Sequence, residues 1–102
     1  MYLEQGPEVG RVILAAGAVV GISGKPVALY GYTFKSAGTA GVLTFFNGTA
    51  ATAANVAWDD TGIISTTKVV ALASGIVFPN GLFASFDANI TTGTFFVRQV
   101  LT

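Results

Sequence analysis

Neither cysteine nor histidine occurs among the 102 residues. Disulfide scaffolds, thiolate metal sites, cysteine nucleophiles and histidine-based triads are therefore excluded. Charge is scarce as well: 10% of residues are charged, against roughly 25% in ordinary soluble domains. The five basic side chains, Arg11, Lys25, Lys35, Lys68 and Arg98, are scattered and balanced by five acidic ones. No electrostatic footprint for nucleic acid or an anionic membrane results, and neither partner is expected. Long hydrophobic runs are missing too. The most apolar stretch, Val12 to Ile22, is eleven residues of VILAAGAVVGI, short of the roughly twenty a spanning helix needs. Glu4 and Glu8 ahead of it are the wrong flank for a secretory leader.

What is present is apolar. Hydrophobic residues make up 52% of the chain and the mean hydropathy is +0.68. Core material is ample and polar surface is not. A formal net charge of zero favours association over dispersal, so the chain reads as a component of an assembly.

Periodicity assigns the elements. Leu82 to Ala88 and Thr94 to Leu101 alternate with period two, which is strand spacing. Joined through Asn89 to Gly93 as a hairpin, they would pair Phe86 with Val97 and Leu82 with Leu101 on one face. On that reading Leu82, Phe86, Phe95 and Val97 fill the core, while Phe83, Phe96 and Val100 face a neighbouring chain. Val27 to Lys35 is a strong strand, with Tyr30, Tyr32 and Phe34 on one side and Val27, Leu29 and Thr33 on the other. Val42 to Asn47 follows after a small-residue turn, as the second arm of another hairpin. Gly48 to Thr61 loses alternation and reads as a surface loop. Lys68 to Ala73 and Ile76 to Phe78 read as two further strands, with Pro79-Asn80-Gly81 as a sharp corner.

About eight short strands with glycine-rich joints and no amphipathic helix argue for an all-β chain. The expected fold is a single antiparallel β-sandwich, jelly-roll-like, with an extended N-terminal arm. Residues 1–24 hold that arm and the first short strands, and residues 25–102 the sandwich, in one domain overall. The arm and the apolar run place Val12 and Leu14 beside Phe83, Phe96 and Val100 as candidate interface residues.

Catalytic chemistry has little to work with. Asp59-Asp60 is the one adjacent carboxylate pair, and neighbours in an extended segment point to opposite sides. Calcium would need six to eight oxygens, and Asn55, Asp59, Asp60 and Thr61 lack the spaced acidic loop that supplies them. No cofactor and no enzymatic activity are expected. Trp58, with Tyr30 and Tyr32, has the ring faces to stack on a sugar, and equally the bulk to plug a core or an interface.

Several stretches together resemble a loose group of small tailed-phage virion proteins. They are Lys25-Pro26-Val27, Leu29-Tyr30-Gly31-Tyr32, Ser36, Gly41-Val42-Leu43, Asn47-Gly48, Gly75-Ile76-Val77-Phe78 and Asn80-Gly81-Leu82-Phe83. The likeness covers roughly residues 25 to 100. It implies a compact β-sandwich on the outer surface of the capsid, a decoration (cement) protein working as a homotrimer on the major capsid protein. A carbohydrate- or receptor-binding module of a head fibre or tail is the alternative it leaves. It implies no catalytic residues.

Overall fold

The computed structural model describes residues 3–13 and 17–101, with residues 3–13 and Leu101 as backbone alone. It is an antiparallel β-sandwich. The strands are β1 (Leu3–Ile13), β2 (Gly17–Val20), β3 (Val27–Ser36), β4 (Val42–Asn47), β5 (Val56–Thr61), β6 (Thr67–Phe78), β7 (Leu82–Phe86) and β8 (Ile90–Leu101), with one 3-10 turn at Ala53–Asn55. One sheet, A, has the order β1-β8-β3-β6, and the other, B, has β2-β7-β4-β5. Only β4 and β5, among consecutive strands, are neighbours in one sheet; every other connection crosses between sheets.

That crossing corrects two expected hairpins. β7 pairs with β2 and β4, while β8 pairs with β1 and β3. Phe86 therefore meets Phe95 across the interior, ring centres 6.2 Å apart, and Phe86 opposite Val97 in one ladder does not occur. The corner between them is made by Asp87, whose carboxylate accepts the backbone N–H of Asn89 at 2.9 Å and of Val42 at 2.8 Å. Such an anchor ties the turn to the start of β4 and sends the chain over to the opposite sheet. β3 and β4 likewise belong to different sheets. Their connection is held by the Ala37 N–H donating to Asn89 O at 2.8 Å and by Gly41 N–H donating to the buried Ser36 hydroxyl at 3.0 Å.

Between the sheets lies an aromatic core. Val27, Leu29, Tyr32 and Phe34 of β3 and Phe95 and Val97 of β8 meet Leu43 and Phe45 of β4 and Leu82, Ala84 and Phe86 of β7. Tyr32 and Phe45 sit 4.9 Å apart, and Phe45 meets Phe95 edge to face at 5.9 Å. Burial of each such side chain contributes roughly 1.5–3 kcal/mol, so the four expected core residues of β7 and β8, Leu82, Phe86, Phe95 and Val97, are where the packing demands them.

The side assignment in β3 needs correction. Val27 and Leu29 face inward, and so do Tyr32 and Phe34, which strict alternation forbids. The change of parity is a β-bulge: between the pairs Leu29↔Val97 and Gly31↔Phe96 the β3 strand carries one extra residue, Tyr30. Tyr30 is displaced to the outer side. On the β6 side, Leu72 to Gly75 bulge out opposite the same point, and Gly75 takes φ +71° with its Cα against the Tyr30 ring, where an added Cβ would come within 2.9 Å. β6 is thus one interrupted strand where two were expected.

The stretch expected as a surface loop also holds a strand. Only its first part is irregular, and β5 pairs with β4 from Val42↔Thr61 to Phe46↔Val56. The Pro79-Asn80-Gly81 corner is as expected, with Gly81 at φ +96° and its N–H donating to Phe78 O at 3.2 Å. The segment expected as an extended arm is extended, and Leu3–Ile13 lies along β8 of its own chain.

Candidate interaction surfaces

Phe83 and Phe96 belong to opposite outer faces of the sandwich, because their strands belong to opposite sheets. They do not form one patch. On sheet B, Phe83 is half-buried and pairs with Val19 of β2 and Phe46 of β4, and Phe46 in turn pairs with Val56 of β5. Val19, Phe83, Phe46 and Val56 thereby form an apolar row crossing all four strands. Phe46 and Phe83 meet edge to face at 6.2 Å, and Val56 at the end of the row is 46% exposed.

On sheet A, Phe96 is 37% exposed and sits in register between Gly10 of β1 and Gly31 of β3. The next row is Thr94, Thr33 and Val69, with Val12 at the β1 position. Val69 is 71% exposed, the most exposed large apolar side chain among the described residues. Val100, expected to face a neighbour, is 4% exposed. The β8 end is covered from within the chain: Val100 N–H donates to Pro26 O at 3.1 Å, and the Gln99 amide donates to the same carbonyl at 2.6 Å. Val12 has a described backbone position only, and Leu14 lies outside the described residues.

The three rings considered for sugar stacking do not converge. Tyr32 is buried and Tyr30, two residues away, is on the other side of sheet A, where the Arg98 guanidinium lies 5.3 Å from its ring centre. Trp58 fills the seam between the sheets, 4.5 Å from Phe45 and 5.6 Å from Phe78. It is partly buried there, packed against the core as a plug would be.

Beside Trp58 is a polar cluster that composition did not suggest. Tyr32 of β3 donates its hydroxyl to Asp60 Oδ2 at 2.6 Å, and Lys68 of β6 donates to Asp60 Oδ1 at 2.5 Å and to Thr61 O at 3.1 Å. Asp60 thus ties sheet B to two strands of sheet A along the β5–β6 side. Burial pushes the Tyr32 phenol well above its ordinary range, and the hydrogen bond to Asp60 adds to the rise. The alternation of Trp58 and Asp60, both inward, was hidden because an inward carboxylate looks like a loop residue.

Exposed isoleucines mark the β5–β6 turn. Ile63 and Ile64 are exposed, and the turn is closed by Thr66 N–H donating to Ile63 O at 3.1 Å. Ser65 takes φ +53°, held by its N–H donating to Ala37 O at 2.8 Å. The adjacent isoleucines between Gly62 and Ser65 were the signal in the sequence.

Among the described residues no cluster of three or more acidic side chains is placed to hold a metal ion. No described helix is long and apolar enough to cross a membrane. Comparisons with protein-family models, with curated proteins and with solved structures find nothing that matches this chain.

Proposed function

We propose that the chain is a structural virion protein, a capsid decoration protein that self-associates and binds the major capsid protein on the outer surface of the phage head. The observation that carries this reading is the apolar side chains on both outer faces of an electrically neutral sandwich, Val56 and the half-buried Phe83 on sheet B and Val69 and Phe96 on sheet A. Faces of this kind bind by buried area and shape. An aromatic interior and a polar cluster spent on joining the sheets suit a rigid clamp. The strand order 1-8-3-6 over 2-7-4-5 supports a jelly-roll winding, an architecture used in viral shells. The resemblance implies three copies in the assembly.

Co-sedimentation with heads of the encoding phage, followed by electron microscopy of the pellet, tests the proposal. Binding is expected for the unsubstituted chain and its loss for Phe83→Asp and for the more exposed Val56→Asp, with β-structure retained in the second. A chain that stays in the supernatant, or a Val56→Asp variant that binds as well as the original, would refute the reading.

A further inference from the structure

We infer that the free edge of β6, over Thr67 to Ala71, pairs antiparallel with the same segment of a second copy. This rests on the self-association in the reading above and adds to it a two-fold contact at a named surface. Four strand edges end the two sheets: β1 and β6 in sheet A, β2 and β5 in sheet B. An exposed edge is a template for another strand, and folded proteins blunt it with charge, proline, bulges or brevity. β1 has Glu4, Glu8, Arg11 and Pro7, with an irregularity between Gln5 and Val9. β2 is four residues long. β5 carries Asp59, exposed, beside the inward Asp60. β6 is the exception.

Its one charge, Lys68, is turned inward onto Asp60 and Thr61 O and does not guard the edge. Outward it presents Thr67, Val69 and Ala71, all exposed. The five residues pair regularly with β3, from Gly31↔Ala71 to Lys35↔Thr67, so their backbone is held extended and ready to template. Beyond Ala71 the bulge at Leu72 to Gly75 ends the regular edge, which sets the length of the join. A second copy fits this edge on charge grounds. In the register centred on Val69, Thr67 meets Ala71 and Lys68 meets Val70 of the other copy, so no like charges oppose one another. The two Val69 side chains become direct cross-strand neighbours, the contact that stabilises antiparallel pairs. Net charge zero removes the general repulsion between copies. Antiparallel self-pairing is two-fold and closes at two copies, leaving the outer row of sheet B free for the capsid or for a threefold contact.

Sedimentation equilibrium over a concentration series, with hydrogen exchange of the Thr67–Ala71 amides in the full chain, tests this. A dimer, or an even-numbered assembly, is expected, with edge amides protected at high concentration and losing protection on dilution. Val69→Lys should weaken the dimer by about tenfold or more, through lost cross-strand contact and two facing charges, while Val69→Thr keeps it. The exchange measurement needs no substitution and stands if Val69→Lys does not fold. A monomer at every concentration, a trimer alone, edge amides indifferent to dilution, or protection appearing only when capsid protein is added would overturn it. Capsid binding by monomeric Val69→Lys would leave the decoration reading intact; a dimer that ignores capsids would leave the pairing intact and remove that reading.

Discussion

Asp60 shows how one side chain can join two layers. Its carboxylate receives Tyr32 from the middle of sheet A and Lys68 from the edge, with 14% of its own side-chain surface exposed. Asp60→Ala leaves a buried hydroxyl without its acceptor and the Lys68 ammonium with Thr61 O alone, and should destabilise the fold by about 2–3 kcal/mol. Asp60→Asn keeps an acceptor for Tyr32 and should lose less, an ordering that urea midpoints will read. Tyr32 adds a pH dependence of known sign. The folded-state phenol is held above its ordinary value, so near pH 10 the unfolded chain loses this proton first. Stability is therefore whole below about pH 10 and falls above it, by up to about 1.4 kcal/mol per pH unit. Tyr32→Phe should lower stability at neutral pH by about 1 kcal/mol and flatten the alkaline fall, as midpoints measured from about pH 8 to 11.5 would show.

Among the strands, the paired bulges of β3 and β6 decide what faces out. Gly75 is needed at its positive φ and against the Tyr30 ring, so Gly75→Ala should destabilise by about 1–3 kcal/mol, checked by thermal or urea unfolding. Here the sequence could be read only in part. Alternation found β7, β8, β3 and β4 and put Leu82, Phe86, Phe95 and Val97 in the core, because inward and outward positions leave a local trace. Strict alternation sets Tyr30 with Tyr32 and Phe34, because a one-residue bulge leaves the composition unchanged and reverses the parity, and Gly31 beside it is the sole hint. Partner strands were not legible. Asp87 to Asn89 is a three-residue connection that would suit a hairpin as well as a crossing, and the bond that accompanies the crossing runs from Val42 N–H to Asp87, forty-five residues away. The same gap separated Phe83 from Phe96: each was correctly read as out of phase with the core, yet their outer faces are opposite. β5 leaves little trace in the sequence, since its inward positions alternate Trp58 with Asp60, whose buried partner Tyr32 is twenty-eight residues away.

For the assembled protein, near-neutral charge and apolar outer faces predict how association responds to conditions. If the contacts are Phe83, Val56 and Val69 and not ion pairs, raising salt from about 0.05 to 0.5 M should change the self-association constant by less than about threefold. Cooling should weaken it, since burial of apolar surface loses driving force at low temperature. A steep loss with salt in analytical ultracentrifugation would point instead to the scattered lysines and arginines.

The place of β8 bears on how the protein is made. It is the last of the eight described strands and yet an inner strand of sheet A, flanked by β1 and β3. While the ribosome still covers Ile90–Leu101, β1 has no neighbour to pair with and β3 has a partner on one side alone. The sandwich can then close only once β8 has emerged, from strands drawn together across the fold, on the millisecond-to-second timescale of such topologies. Until that closure, aromatic residues bound for the interior are open to other nascent chains.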